Sequence, residues 1–386
     1  MDDQGRRYQA SKKLASVFSK NHPWVYRNAL SGAIDAIPPG SLVRMVDGEN
    51  RFMTHAIYEP HGSVAMRLLF TSEPFDAGQL RRRLAKIIAK KARNTSFGPR
   101  SAFRLLNGEG DRFPGLTCDV YSGVAVWQPY LKFWDEFLPA LAEEADSATG
   151  VERHVVKPPS RREGRPDHYM LKGTEPAEPV VFEEKGLKLH AWPLSGQKSG
   201  FFLDLREVRF LLPGYVRGKN VLNCFAGTGA FTLIARSFGA ASVLSIESDA
   251  KCAERAAALL EENALPFPPS EWVVGNVFDE LEKHVGEGRK FDVVVLDPPN
   301  MCSKKSSLVP ALKGWEKLLR RGKELTAAGG KMIAINCSSF MTKELCEGAA
   351  KELRLKAESF GGPPPDHTTR ADFPEGDYLK WWVYAL

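Results

Sequence analysis

The sequence predicts an α/β protein: a doubly wound parallel sheet in the C-terminal half, behind a small β-barrel and a central α+β segment. Three observations carry this. From about residue 187, β-branched runs alternate with helix-forming runs, the rhythm of a parallel sheet covered on both faces. Within that half, Val221-Leu222-Asn223-Cys224-Phe225-Ala226-Gly227-Thr228-Gly229-Ala230-Phe231 joins an apolar strand to a helix through a glycine turn, and Glu247 follows Gly227 by 20 residues. Up to about residue 70, short β-type runs alternate instead with turns such as Asp47-Gly48 and Glu59-Pro60.

Taken in order, runs 41–46, 52–58 and 63–70 read as strands of the barrel. Over 79–91 the period changes: Leu80, Leu84, Ile87 and Ile88 make one apolar face, and Arg81, Arg82, Arg83, Lys86, Lys90 and Lys91 lie elsewhere. That predicts an amphipathic helix with a basic outer surface. Strands follow at 103–106, 116–121 and 124–128, a helix at 133–145, and a polar loop at 157–167. In the last part, strands are expected at 220–223, 242–246, 272–274, 291–296 and 331–336, with helices at 231–237, 250–263 and 313–326 and another after Lys343. The closing run 378–385 is a strand with no helix after it, which predicts an antiparallel edge hairpin. The division expected is 1–72, 73–186 and 187–386.

The net charge of +6 hides an asymmetry. Residues 1–104 hold 18 Lys and Arg against 8 Asp and Glu, while the remainder holds 35 against 39. A basic first quarter on a near-neutral larger part suggests a polyanion-binding module ahead of a catalytic one. No apolar run approaches the roughly 20 residues of a membrane helix, and the first 20 residues lack a signal-peptide core. A cytoplasmic protein without membrane association is expected. The six cysteines show no CxxC pair and no metal-ligand spacing, so no metal is expected.

The glycine loop departs from the dinucleotide pattern, because Thr232 replaces the third glycine. Asn223, Phe225, Gly227 and Gly229 suit instead the methionine moiety of S-adenosylmethionine, held by loop and helix N–H groups. Glu247 would take the ribose hydroxyls, and Asn276, just past the third strand, the adenine amino group. The fourth strand ends in Asp297-Pro298-Pro299-Asn300, where two prolines stiffen the turn and present Asp297 at the carboxyl edge, in place to touch the cofactor as well as the base. Asn300 stands where methylases of exocyclic amines carry an aromatic residue.

The fifth strand delivers Cys337-Ser338-Ser339 to the same edge. Carbon 5 of a pyrimidine is a poor nucleophile until a thiolate adds to C6, a chemistry that needs a thiol at the rim and a carboxyl group near ring N3. Cys337 and Asp297 fit these parts. Cys302, five residues after Asp297, is a competing nucleophile, and Cys118, Cys224, Cys252 and Cys346 read as packing residues.

With these residues in hand, the chain resembles the bacterial large-subunit (23S) rRNA cytosine-C5 methyltransferases of the RlmI type over nearly its whole length. Asn21-His22-Pro23-Trp24-Val25-Tyr26 and Ala56-Ile57-Tyr58 to Arg67-Leu68-Leu69 are similar to that family's N-terminal PUA domain. Phe103 to Asp111 and Pro114-Gly115-Leu116 are similar to its central domain. Gln197-Lys198-Ser199-Gly200-Phe201-Phe202-Leu203-Asp204-Leu205-Arg206, Asp366-His367 and Phe373-Pro374-Glu375-Gly376-Asp377-Tyr378-Leu379-Lys380 match its hallmark motifs. The resemblance implies a Rossmann-like class I methyltransferase domain at the C-terminus, an RNA-binding PUA barrel at the N-terminus and ribosomal RNA as partner. It also implies that Gln197 helps wall the cofactor or base pocket, and it leaves a homodimer as one candidate assembly. Relatives that methylate guanine N7 carry Asn at the place of Cys337, so this position separates the two chemistries. The alternatives are guanine-N7 or exocyclic-amine methylation, and an RNA-binding factor without catalysis.

Overall fold

The computed structural model describes residues 6–11, 14, 18, 20–30, 34, 37–95, 97–159 and 166–386. Residues 160–165 of the expected polar loop lie outside the described residues. The chain forms two compact units, one of Met1–Glu184, His190–Leu203 and Pro365–Gly376, the other of Lys185–Leu189, Asp204–Pro364 and Asp377–Leu386.

The first unit opens with β1 (Arg7–Gln9), β2 (Trp24–Tyr26), β3 (Leu42–Val46), β4 (Phe52–Tyr58) and β5 (Val64–Leu68), arranged as one sheet in the order β1-β3-β4-β5-β2. Alternate residues point inward, so Val43, Met45, Ala56, Tyr58, Met66 and Leu68 share a core with Tyr8 and Val25. Helix α1 (Ala77–Lys91) follows, its first turn capped by the Asp76 carboxylate accepting from Gln79 N at 3.0 Å. Next come β6 (Ala102–Asn107), β7 (Leu116–Tyr121), β8 (Val124–Pro129), α2 (Leu138–Thr149), β9 (Arg153–Val156) and β10 (Tyr169–Lys172), the strands ordered β10-β9-β8-β7-β6. Leu80, Leu84 and Ile88 of α1 and Leu138, Leu141 and Ala145 of α2 pack on this sheet through Phe103, Leu105, Val120 and Trp127.

Two details of the helices in this unit differ from the expectations. The helix expected at 133–145 begins later, as α2 after a short 3₁₀ turn, because Pro139 is accommodated only in the first turn of a helix. The surface of α1 is less basic than its sequence suggests. Lys91 is buried in an ion pair with Asp111 at 2.7 Å, and Arg83 turns inward to donate to the carbonyls of Leu69, Phe70 and Arg112. Burial pulls the Arg83 guanidinium down to about 10.

Strands β11 (Val180–Glu184) and β12 (Leu187–Ala191) precede the helical turns α3 (Arg206–Leu211) and α4 (Pro213–Val216). The second unit then runs β13 (Asn220–Cys224), α5 (Ala230–Ser237), β14 (Ser242–Glu247), α6 (Ala250–Glu262), β15 (Trp272–Val274), α7 (Val277–Gly286), β16 (Phe291–Leu296), α8 (Leu308–Leu325), β17 (Thr326–Cys337), α9 (Lys343–Glu352), β18 (Ala357–Gly361) and β19 (Leu379–Ala385). Its seven-stranded sheet has the order β15-β14-β13-β16-β17-β19-β18. Strands β13 to β17 are parallel, and β19 lies antiparallel between β17 and the edge strand β18. The expected edge hairpin is present.

Both faces are covered, which explains the continuous apolar runs. On one face Leu222, Leu244, Val294, Met332 and Trp382 pack against Leu281, Trp315, Leu318 and Cys346. On the other, Val221, Val243, Val293, Ile333 and Val383 pack against Val208, Leu212, Phe231 and Ile234. Helix α8 begins five residues earlier than the periodicity indicates. Pro310 falls in its first turn, where its missing N–H has no partner to lose.

Candidate active site

The strand order reverses between β13 and β16, and doubly wound sheets bind ligands beyond the carboxyl ends at such a switch point. The loop 225–229 leaves β13 there, and Asp297-Pro298-Pro299-Asn300 leaves β16 beside it. Glu247 and Cys337 end the flanking strands β14 and β17.

The glycine loop turns tightly, with φ of +59° at Phe225, +53° at Gly227 and +88° at Gly229. The two glycines have different reasons. A Cβ on Gly229 would lie 2.8 Å from the Cβ of Ala256, so this glycine lets the turn pack on α6. A Cβ on Gly227 would meet no protein atom within 4 Å, so this residue borders open space. Its N–H donates to Glu247 Oε2 at 2.9 Å. Glu247 Oε1 accepts from Ser248 N at 2.7 Å and from Asp249 N at 3.1 Å, which aims the carboxylate along the loop.

Asn223 is buried, its amide nitrogen donating to Thr232 Oγ1 at 3.0 Å, and Thr232 meets Ser245 Oγ at 2.7 Å. Its Oδ1 is enclosed without a partner among the described residues. Buried acceptors are rarely left so, and a ligand amino group would supply the donor. The open side of Gly227 and this unmatched oxygen both fit S-adenosylmethionine. Asn276 caps α7, Oδ1 accepting from Phe278 N at 2.9 Å, so the oxygen expected to accept from the adenine amino group serves the helix, and the amide nitrogen offers a donor, suited to an adenine ring nitrogen and not to the amino group. Phe225 meets the edge of Phe278 with ring centroids 6.0 Å apart.

At the neighbouring strand ends, Asp297 is half-buried and Cys337 Sγ lies 3.8 Å from the Pro298 carbonyl oxygen. The structure thus brings the candidate nucleophile against the turn that carries the candidate carboxylate. Cys302 is set differently. It is buried in the apolar core, its thiol directed to the Lys304 carbonyl at 3.4 Å, and Asn300 accepts its backbone N–H at 3.0 Å. Burial pushes the Cys224 thiol well up and the Cys252 and Cys346 thiols up to about 11 and about 12. These remain protonated at neutral pH.

Gln197 is exposed and belongs to the first unit. The hallmark motifs have structural partners: Tyr378 OH donates to Asp204 Oδ2 at 2.6 Å, and Asp366 accepts from Arg104 N at 2.9 Å. One further residue stands out in the sequence only as a member of a motif. Lys380 is buried, and its Nζ donates to the Ser338 carbonyl next to Cys337 at 3.0 Å. No spacing rule links residues 42 positions apart.

The reversed strand order, the glycine loop with its acid and the terminal antiparallel strand define a class I methyltransferase domain. Residues 129–364 match the S-adenosylmethionine-dependent methyltransferases, and residues 11–71 match the PUA-like domain. A protein of Deinococcus radiodurans named Ribosomal RNA large subunit methyltransferase is 32% identical, the match covering 97% of this chain and 96% of that one. Ribosomal RNA large subunit methyltransferase I of Shewanella denitrificans is 30% identical over 94% of this chain and 95% of its own. A solved structure described as a candidate SAM-dependent methyltransferase from Streptococcus mutans superposes with a TM-score of 0.84, at 20% identity, over 99% of this chain and 100% of that one. It speaks for the fold alone. The chain belongs to the S-adenosylmethionine-dependent methyltransferase family and carries a PUA-like domain, and it is related over nearly its whole length to the Deinococcus and Shewanella proteins. Its cofactor is S-adenosylmethionine. Among the described residues, no helix is long and apolar enough to cross a membrane.

Replacing Glu247 by alanine is expected to weaken S-adenosylmethionine binding by about 1.5–3 kcal/mol, the range of a charge-assisted hydrogen bond, in titration calorimetry. An unchanged affinity would remove Glu247 from the cofactor site.

Proposed function

We propose that the protein transfers a methyl group from S-adenosylmethionine to C5 of a cytosine in large-subunit ribosomal RNA, through a covalent adduct between Cys337 and C6. The observation that carries this reading is Cys337, a half-buried thiol at the end of β17, 3.8 Å from the Pro298 carbonyl. Cys302 is enclosed in the core by comparison. The names of the Deinococcus and Shewanella relatives support the substrate class.

In this mechanism the Cys337 thiolate adds to C6 while Asp297, in its protonated carboxyl form, donates its proton to ring N3, which leaves C5 as the electron-rich enamine carbon. When bound, S-adenosylmethionine supplies an electrophilic methyl group. Loss of the C5 proton to a base and expulsion of Cys337 then restore the aromatic ring. Asn223, Phe225, Gly227, Gly229, Glu247 and Asn276 hold the cofactor in this proposal. Gln197 is assigned to the pocket wall on family resemblance, and the cofactor site of the second unit stands without it. We retain three functional segments, 1–72 for RNA binding, 73–186 as a central domain and 187–386 for catalysis.

The test is to incubate the enzyme with isotopically labelled S-adenosylmethionine and large-subunit RNA, then digest to nucleosides. Label in 5-methylcytidine is expected. Label in 7-methylguanosine or an N-methylated base would overturn the assignment.

Besides the segment 1–72, α1 offers a second basic surface for RNA: Arg82, Lys86 and Lys90 recur at four-residue steps on its exposed side. Changing Lys86 and Lys90 together to serine is expected to lower RNA affinity and to reduce the salt slope of log K by about 0.7–0.9 for each phosphate left without its lysine. A slope equal to that of the unaltered protein would move the interface off α1.

A further inference from the structure

Lys380 sits on β19 opposite Asn336 of β17, one register step from the Cys337–Leu379 pair. It is only 3% exposed. Its Nζ donates to the carbonyl oxygens of Ser338 and Asp377, each at 3.0 Å. Both partners are neutral, and a buried ammonium needs an anion to offset its lost hydration. The titratable groups that act on it are the Asp377 and Glu344 carboxylates and the Cys346 and Cys337 thiols. Glu344 and Asp377 are both exposed, where water screens their charge. Cys346 lies in the apolar core, its thiol held up to about 12 by burial. Cys337 is half-buried, and Lys380 grips the carbonyl of the residue that follows it.

We propose that Lys380 is a positioning residue for methyl transfer: it anchors the strand-end turn carrying Cys337 through the Ser338 carbonyl, and its buried positive charge favours the Cys337 thiolate. This rests on the reading of Cys337 as the nucleophile. A free thiol ionises near about 8.5, so an unassisted cysteine is mostly protonated at neutral pH. A cation fixed beside the turn raises the thiolate fraction before cofactor or RNA arrives. The coupling is mutual. Burial lowers the Lys380 ammonium from its ordinary range, and the negative charge of the thiolate supports it.

The experiment follows alkylation of Cys337 by iodoacetamide against pH, read by peptide mass spectrometry on the full-length protein without cofactor or RNA. In the unaltered protein the midpoint should lie below about 8.5. Lys380→Met should raise it by about one unit, a tenfold slower alkylation at neutral pH, and Lys380→Arg should restore it. A purely structural tether predicts lower thermal stability for Lys380→Met with an unmoved midpoint, and that result overturns the proposal. Should Lys380→Met fail to fold, the ultraviolet thiolate absorbance of the unaltered protein minus that of Cys337→Ser still decides. A midpoint at or above about 8.5 overturns it, and one below supports it. Alkylation reads the thiol without any RNA, so an error in the assigned base would leave this result intact.

Discussion

Cys337→Ala is expected to bind S-adenosylmethionine and ribosomal RNA as the unaltered enzyme does and to transfer methyl groups at least roughly 10⁴-fold more slowly, the scale on which a covalent nucleophile fails. The binding half of this expectation follows from the structure. Cys337 is a small, half-buried residue at the end of β17, so its truncation removes one sulfur atom at the rim and leaves the strand pairing with β16 and β19 intact. The catalytic half follows from the substrate: without addition at C6, C5 of cytosine has too little electron density to attack a methyl group. Cys302→Ala serves as the comparison. Its thiol lies in the apolar core, so the change should cost stability and spare turnover. If Cys302→Ala lost activity and Cys337→Ala kept it, the nucleophile would be Cys302.

Gly227→Val should abolish cofactor binding, with affinity falling by about 100-fold or more, while the near-ultraviolet circular dichroism stays native. A Cβ at this position meets no protein atom within 4 Å, so the branched side chain projects into the space proposed for the methionine moiety. The φ of +53° adds a strain of about 1–3 kcal/mol for a β-branched residue, which lowers the melting temperature without preventing folding. Gly229→Val makes the contrasting control. Its Cβ would collide with that of Ala256 at 2.8 Å, so there the main effect falls on stability. A folded Gly227→Val protein with unchanged affinity for S-adenosylmethionine would place the cofactor elsewhere.

The second unit is legible in sequence because its signals are local. Parallel strands buried on both faces read as unbroken apolar runs, and Gly227, Gly229 and Glu247 keep fixed spacings from the strand that precedes them. Strands β9, β10, β11 and β12 are not among the runs that the sequence predicts. Arg83 and Lys91 read as surface charges because the residue type says so. Their inward course depends on carbonyls and on Asp111, supplied by other segments. Asn276 reads as an adenine contact, and its role as a helix cap appears only once α7 is in place. Lys380 is the plainest case. Antiparallel pairing of β19 with β17 carries it to Ser338, and neither residue type nor spacing announces that hydrogen bond.

Cys337 is proposed to add covalently to a cytosine. The most direct test is to incubate the enzyme with S-adenosylmethionine and large-subunit RNA in which 5-fluorocytosine replaces cytosine. Fluorine does not leave as a proton does, so the adduct should persist as an enzyme–RNA complex stable to denaturing electrophoresis. Peptide mass spectrometry should locate the linkage at Cys337, and Cys337→Ala should form none. An enzyme that methylated the unmodified RNA yet gave no trapped complex, or one trapped through another residue, would contradict the account.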